Sequence, residues 1–187
     1  MSTIHNINGD LSAATAALQP ADMVPVYDAA AGVSKKMSGS LLAAGAATPV
    51  DTTATTLAIT QASHAGRVVT VSSAAPFVFT LPASAGTGSK YTFQMQVAAT
   101  GTTSAIKVAN GTDIMQGIAL AVTTTSTNTE GFATSATSDT IAMNGTTLGG
   151  VVGDVYELTD VQTGFWSVRC YTAPTGAEAT PFSATVS

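Results

Sequence analysis

Charge is what this chain has least of. Of its 187 residues only 6 are Lys or Arg and 11 are Asp or Glu, 9% together, against roughly a quarter in an ordinary soluble domain. The formal balance is −5, and Lys35-Lys36 is the only adjacent basic pair. Binding nucleic acid by counterion release needs clustered cations, and a membrane-surface helix needs a basic face. Neither pattern is present, so neither nucleic acid nor membrane is an expected partner. A single cysteine, Cys170, excludes an intrachain disulfide and a Cys-based zinc site. Mean hydropathy is +0.32, yet no apolar run approaches the roughly 18 residues of a spanning helix. The first ten residues, MSTIHNINGD, have neither the basic start nor the apolar centre of a secretory signal, and synthesis in a cytosol is the expectation.

What the chain has in abundance is small side chains. Ala (33), Thr (32), Ser (17) and Gly (17) fill 99 positions. Such a composition supports strands and turns while leaving a thin core, because Val or Phe burial contributes about 1.5–3 kcal/mol and Thr or Ala less. Lateral association of copies would supply the missing area, and a surface covered by sister subunits needs fewer solvating charges.

The texture changes near residue 60. Residues 1–60 read as an extended N-terminal arm with short helical turns. The run 11–18, LSAATAAL, suits two helical turns stopped by Pro20. The run 23–27, MVPVY, is extended or an edge strand because Pro25 removes a ladder donor. Ser38 or Ser40 is placed to cap a short helix through Leu41 and Leu42, and 46–60 form a Thr-rich connector. From 61 to 187 short alternating runs separated by turn residues predict an all-β domain, an antiparallel β-sandwich or jelly roll. Strands are expected at 67–71, 77–81, 91–97, 104–108, 118–122, 130–137, 139–143, 154–161 and 165–171. In the last, Trp166, Val168 and Cys170 share one face, opposed by Phe165, Ser167, Arg169 and Tyr171. Asn110-Gly111 and Asn144-Gly145 read as tight turns with positive φ. The Pro-containing tail from about 173 is expected to cross a surface.

Candidate chemistry is sparse. His5 and His64 have no carboxylate or cysteine at ligand spacing, so they read as exposed loop histidines; no metal, cofactor or catalytic residue is expected. Cys170 reads as a buried small hydrophobe. Asp154, Glu157 and Asp160 lie in one run, and paired carboxylates can do glycosidic acid–base work. Asp154 and Asp160 share a parity and Glu157 takes the other, so they read as solvated strand and turn carboxylates. Asn110-Gly111-Thr112-Asp113 lacks the alternating acids of a calcium loop, and 149–153, GGVVG, lacks a phosphate cradle's context. An enzyme is therefore not expected.

The stretch Asp22-Met23-Val24-Pro25-Val26-Tyr27-Asp28, followed by Gly32, Lys35-Lys36 and Leu41-Leu42, resembles one found near the N-termini of tailed-bacteriophage structural proteins. In composition and strand texture the remaining chain resembles the trimeric β-sandwich proteins that decorate and cement phage heads. The resemblance implies a virion structural protein on the capsid outer surface, a homotrimer whose arm grips the major capsid protein. Met23, Val24, Pro25, Val26 and Tyr27 would anchor the arm, and Lys35 and Lys36 would position it. Virion fibre proteins share the opening, so a short tail-fibre or receptor-binding module recognising host surface glycan is the alternative.

Overall fold

The computed structural model describes residues 23–28 and 33–38, by their backbone alone, and residues 48–101, 103–123 and 129–186. The chain divides into two compact units, Met1–Thr48 and Pro49–Ser187.

In the first unit β1 (Met23–Asp28) and β2 (Val33–Ser38) pair antiparallel, with Met23 opposite Ser38 and Val26 opposite Lys35. They form a two-stranded sheet of their own. The extended segment expected at 23–27 is thus a strand, and Pro25 is tolerated because a two-stranded sheet has only edges. Ser38 is the last residue of β2. The predicted helical turns at 11–18 and through Leu41-Leu42 lie outside the described residues.

The second unit is the all-β sandwich that the alternation predicts. Its strands are β3 (Val50–Thr52), β4 (Thr56–Ala58), β5 (Val68–Val71), β6 (Val78–Thr80), β7 (Lys90–Met95), β8 (Ser104–Lys107) and β9 (Ile114–Val122), continuing with β10 (Thr129–Ala133), β11 (Thr140–Met143), β12 (Val155–Gln162), β13 (Phe165–Thr172) and β14 (Phe182–Ser183). A four-residue helix, α1 (Gln61–His64), joins β4 to β5. One sheet has the order β10-β9-β13-β12-β7-β5-β3 and the other β14-β11-β8-β6-β4. The unit begins at Pro49 and not near 61, because the Thr-rich stretch expected to be a connector supplies β3 and β4.

Pairing is mixed where antiparallel ladders were expected. From β3 to β8 each successive strand lies in the opposite sheet, so β3, β5 and β7 run parallel side by side in one sheet, and β4, β6 and β8 in the other. The Pro-, Gly- and Ser-containing stretches 72–77, 81–89 and 96–101 carry the chain across the sandwich. These are too long for hairpin turns and long enough to cross the about 10 Å between stacked sheets. Beyond β8 the chain turns to hairpins, β9–β10 and β12–β13, with β12 antiparallel to β7 and β13 parallel to β9.

The core is fuller than the composition suggests, because most of the unit's aromatic residues are spent on it. Phe77, Phe79 and Phe93 stack in series with centroids 4.6 and 6.1 Å apart, and Tyr91 meets Trp166 edge-on at 5.6 Å. Trp166, Val168 and Cys170 point inward as predicted. The C-terminal tail does not stay on the surface: Phe182 enters the core and β14 pairs with β11. Gly117 is required where β9 meets β13, since a Cβ there would sit 1.8 Å from the Val168 carbonyl oxygen.

Phe79 lies at the centre of the ring stack and is fully buried. Phe79→Ala is expected to destabilise the sandwich by about 3–5 kcal/mol, the usual cost of a large cavity, measured by urea unfolding. A loss under about 1 kcal/mol would show that the stack is not the centre of the core.

Candidate functional site

The residues expected to contact a partner all fall in the β1–β2 hairpin. Its register places Val24, Val26, Val33, Lys35 and Met37 on one face and Met23, Pro25, Tyr27, Ser34 and Lys36 on the other. The expected anchors are thus divided: Val24, Val26 and Lys35 share one face, while Met23, Pro25, Tyr27 and Lys36 share the opposite one. Sequence reading identified the strand but not its partner, since VSKKMS has little of the β-branched alternation that marks a strand.

The titratable groups of the sandwich are mostly committed to structure. Asp154 and Asp160, expected to be solvated, are 2% and 3% exposed, and Asp113 and Asp139 are buried as well. Asp160 sits where three successive N–H groups converge: Ala85, Gly86 and Thr87 donate at 3.0, 2.8 and 3.0 Å, and the Thr87 hydroxyl donates at 2.7 Å. Burial alone would raise this carboxyl, but these donors outweigh it and hold its pKa below the usual 3.8. Asp154 accepts from the N–H groups of Gly150, Val151 and Ala173 at 2.8, 3.1 and 2.8 Å. There desolvation wins over the same kind of donor, and the pKa is raised. Asp113 accepts from the Ser84 N–H and hydroxyl, both at 2.9 Å, while Asp139 accepts from the N–H groups of Thr185 and Val186 at 2.8 and 3.1 Å. Glu157 faces outward, opposite in parity to Asp154 and Asp160, so these three form no acid–base pair.

The other candidates resolve similarly. Burial, with the Asp154 charge second, pushes the Cys170 thiol far above its ordinary value, which suppresses the reactive thiolate. His64 is buried and not an exposed loop residue; its Nδ1 accepts the Thr60 N–H at 3.0 Å and so ties down α1. His5 lies outside the described residues. Asn110-Gly111 is not a positive-φ turn: the Asn110 side-chain oxygen accepts the N–H groups of Thr112 and Asp113 at 2.9 and 3.0 Å. Gly145 does have positive φ, 72°. The 149–153 stretch is the loop that Asp154 holds. Among the described residues no group of three or more His, Cys, Asp or Glu is arranged to hold a metal ion.

One surface feature escaped sequence reading. On the outer face of the larger sheet Ile118, Leu120 and Val122 of β9 stand beside Tyr171 of β13, which is register partner to Leu120, and Ile118, Val122 and Tyr171 are 49%, 56% and 46% exposed. Leu120, Val122, Tyr171 and exposed Val152 border a shallow hollow of about 420 Å³. Contiguous exposed apolar surface of this kind marks an interaction site more often than chance. The alternation showed which residues share a face of each strand, but parallel pairing of β9 with β13, which brings the two apolar sets together, leaves no local signal. No protein-family model, curated protein or solved structure matches the chain.

The carboxylates carry a pH prediction. Because the folded pKa of Asp160 is depressed, its contribution is present above the ordinary 3.8 and is lost as pH falls below that value toward the folded pKa; Asp154, with a raised pKa, acts in the opposite direction, favouring the folded state less as pH rises through its titration. Asp160→Asn is expected to lose about 1–3 kcal/mol at pH 7 and to flatten part of the acid limb below about pH 4 in urea unfolding followed against pH. An acid limb identical to that of the native chain would remove Asp160 from this role.

Proposed function

We propose that the chain is a non-enzymatic virion structural protein that decorates and stabilises the mature capsid of a tailed bacteriophage as a homotrimer. The observation that carries the reading is the separate two-stranded sheet of β1 and β2, built from the residues that resemble phage structural proteins. An isolated two-stranded hairpin is marginal in water, so a hairpin of this kind needs a further surface to cover its apolar positions. In this reading the surface is the major capsid protein, with Val24 and Val26 on one face of the ribbon and Met23, Pro25 and Tyr27 on the other as anchors, and Lys35 and Lys36 positioning it. Trimerisation uses the apolar outer face at Ile118, Leu120 and Val122. Three linked hairpins bind with large avidity even if each contact is weak, and a protein bound only to the mature lattice stabilises that lattice by linkage. The competing reading, a short tail-fibre or receptor-binding module recognising a glycan, loses its largest aromatic, because Trp166 is buried, and retains the half-exposed Tyr171.

The test is co-sedimentation with undecorated heads of the parent phage, counting copies per shell. The full chain is expected to saturate, whereas Val26→Asp/Tyr27→Asp and a version beginning at Pro49 do not bind although their sandwich unfolds as before. Unchanged occupancy by the double variant would sink the hairpin as anchor, and no binding by the folded full chain would move the reading to the tail. Leu120→Asp is expected to turn the trimer to monomer at micromolar concentration in light scattering; a monomeric native chain would overturn the trimer.

A further inference from the structure

Along β12 and β13 the outer face of the larger sheet changes from apolar to polar and concave. The registers place Thr159 between Lys90 and Ser167, and in the next row Glu157 between Thr92 and Arg169. Three of these side chains are short hydroxyl groups and three are long and charged. Hydroxyls and strand backbone therefore form a floor, while Lys90, Glu157 and Arg169 rise around it, and Val161 also borders the hollow of about 330 Å³. Among the described residues, none of the six polar side chains has a hydrogen-bond or ion-pair partner. The aspartates of the sandwich differ: Asp51, Asp113, Asp139, Asp154 and Asp160 are all occupied by internal donors.

The arrangement suits a ligand whose groups donate and accept together. An ionised Glu only accepts, Lys and Arg only donate, and a Ser or Thr hydroxyl does either. Glu157 and Arg169 are directly opposed, which puts their Cβ atoms about 5 Å apart, so two neighbouring hydroxyls of one ligand can donate to the first and accept from the second. A phosphate or carboxylate is disfavoured because Glu157 stands between the two cations. The volume lies at the small end of ligand sites, the scale of one sugar ring. Tyr171, two residues beyond Arg169 on the same face, sits about 7 Å along the strand; its half-exposed ring offers an apolar plane for the C–H face of a sugar.

We propose that this trough is a saccharide site that takes one neutral pyranose unit. The site lies in the sandwich and capsid binding rests on the hairpin, so those two are tested apart; Arg169 and Tyr171 are register partners of Ile118 and Leu120, so the sugar site and the trimer contact adjoin on the same sheet face.

The experiment is saturation-transfer NMR on the full chain with glucose, galactose, mannose and N-acetylglucosamine at millimolar concentration, repeated with inorganic phosphate as competitor. At least one pyranose is expected to receive saturation and to resist displacement by phosphate. Glu157→Ala and Arg169→Ala are each expected to weaken its binding about tenfold or more, the loss that goes with one charge-assisted hydrogen bond. Lys107→Ala, on the other sheet, should leave binding unchanged, and all three variants should keep the native melting curve because their side chains face solvent. The proposal is overturned if the folded chain transfers saturation to none of the four sugars, if Glu157→Ala binds as the native chain does, or if phosphate displaces the sugar.

Discussion

Four carboxylates buried without a cation hold this sandwich together at its loops. Asp113, Asp139, Asp154 and Asp160 are no more than 5% exposed, and each is solvated by backbone N–H groups, hydroxyls or both. With so few Lys and Arg in the chain, peptide dipoles supply the compensation that a buried charge requires. Ser84 shows how closely the clasps are joined: its N–H and hydroxyl donate to Asp113, and its oxygen accepts from the Gly164 N–H at 2.6 Å. Residues 85–87 meanwhile wrap Asp160. The loop between β6 and β7 is thereby fastened to the start of β9 and to the turn between β12 and β13.

These clasps answer a problem set by the winding. A hairpin closes itself with a two-residue turn, whereas a chain that alternates between sheets must cross the sandwich edge repeatedly, leaving long connections rich in unpaired donors. Aspartate suits the task because its short side chain gathers several neighbouring N–H groups at one point. Asp139 does the same for the C-terminal segment, and Asp154 for the glycine-rich loop and Ala173. The core then needs only a modest number of large residues, concentrated in the aromatic stack from Phe77 through Phe93.

The strands and their inward faces were legible in the sequence wherever alternation was strict, as in β7 and β13. Legibility failed where the signal is not periodic. β3, β4 and β14 are two or three residues long, too short to alternate, and their place is set by neighbours distant in the chain. Parallel pairing likewise has no local signature. The buried aspartates were misread because parity alone cannot distinguish a carboxylate facing water from one facing a ring of N–H groups. The outer-face trough and apolar patch depend on which strand lies beside which, and so become visible only once β13 is seen between β9 and β12.

That position of β13 also has a consequence for how the chain reaches its native state. Among the described residues, 165–172 are the only bridge between the β9–β10 hairpin and the rest of the large sheet. Until they are in place, the hairpin and the helically wound strands β3 to β8 are two pieces with an open edge each. The pairing of β13 with β9 joins residues about fifty positions apart in sequence, a non-local closure of the sort that slows folding. It also leaves two β edges exposed to other chains until residues 165–172 have been made.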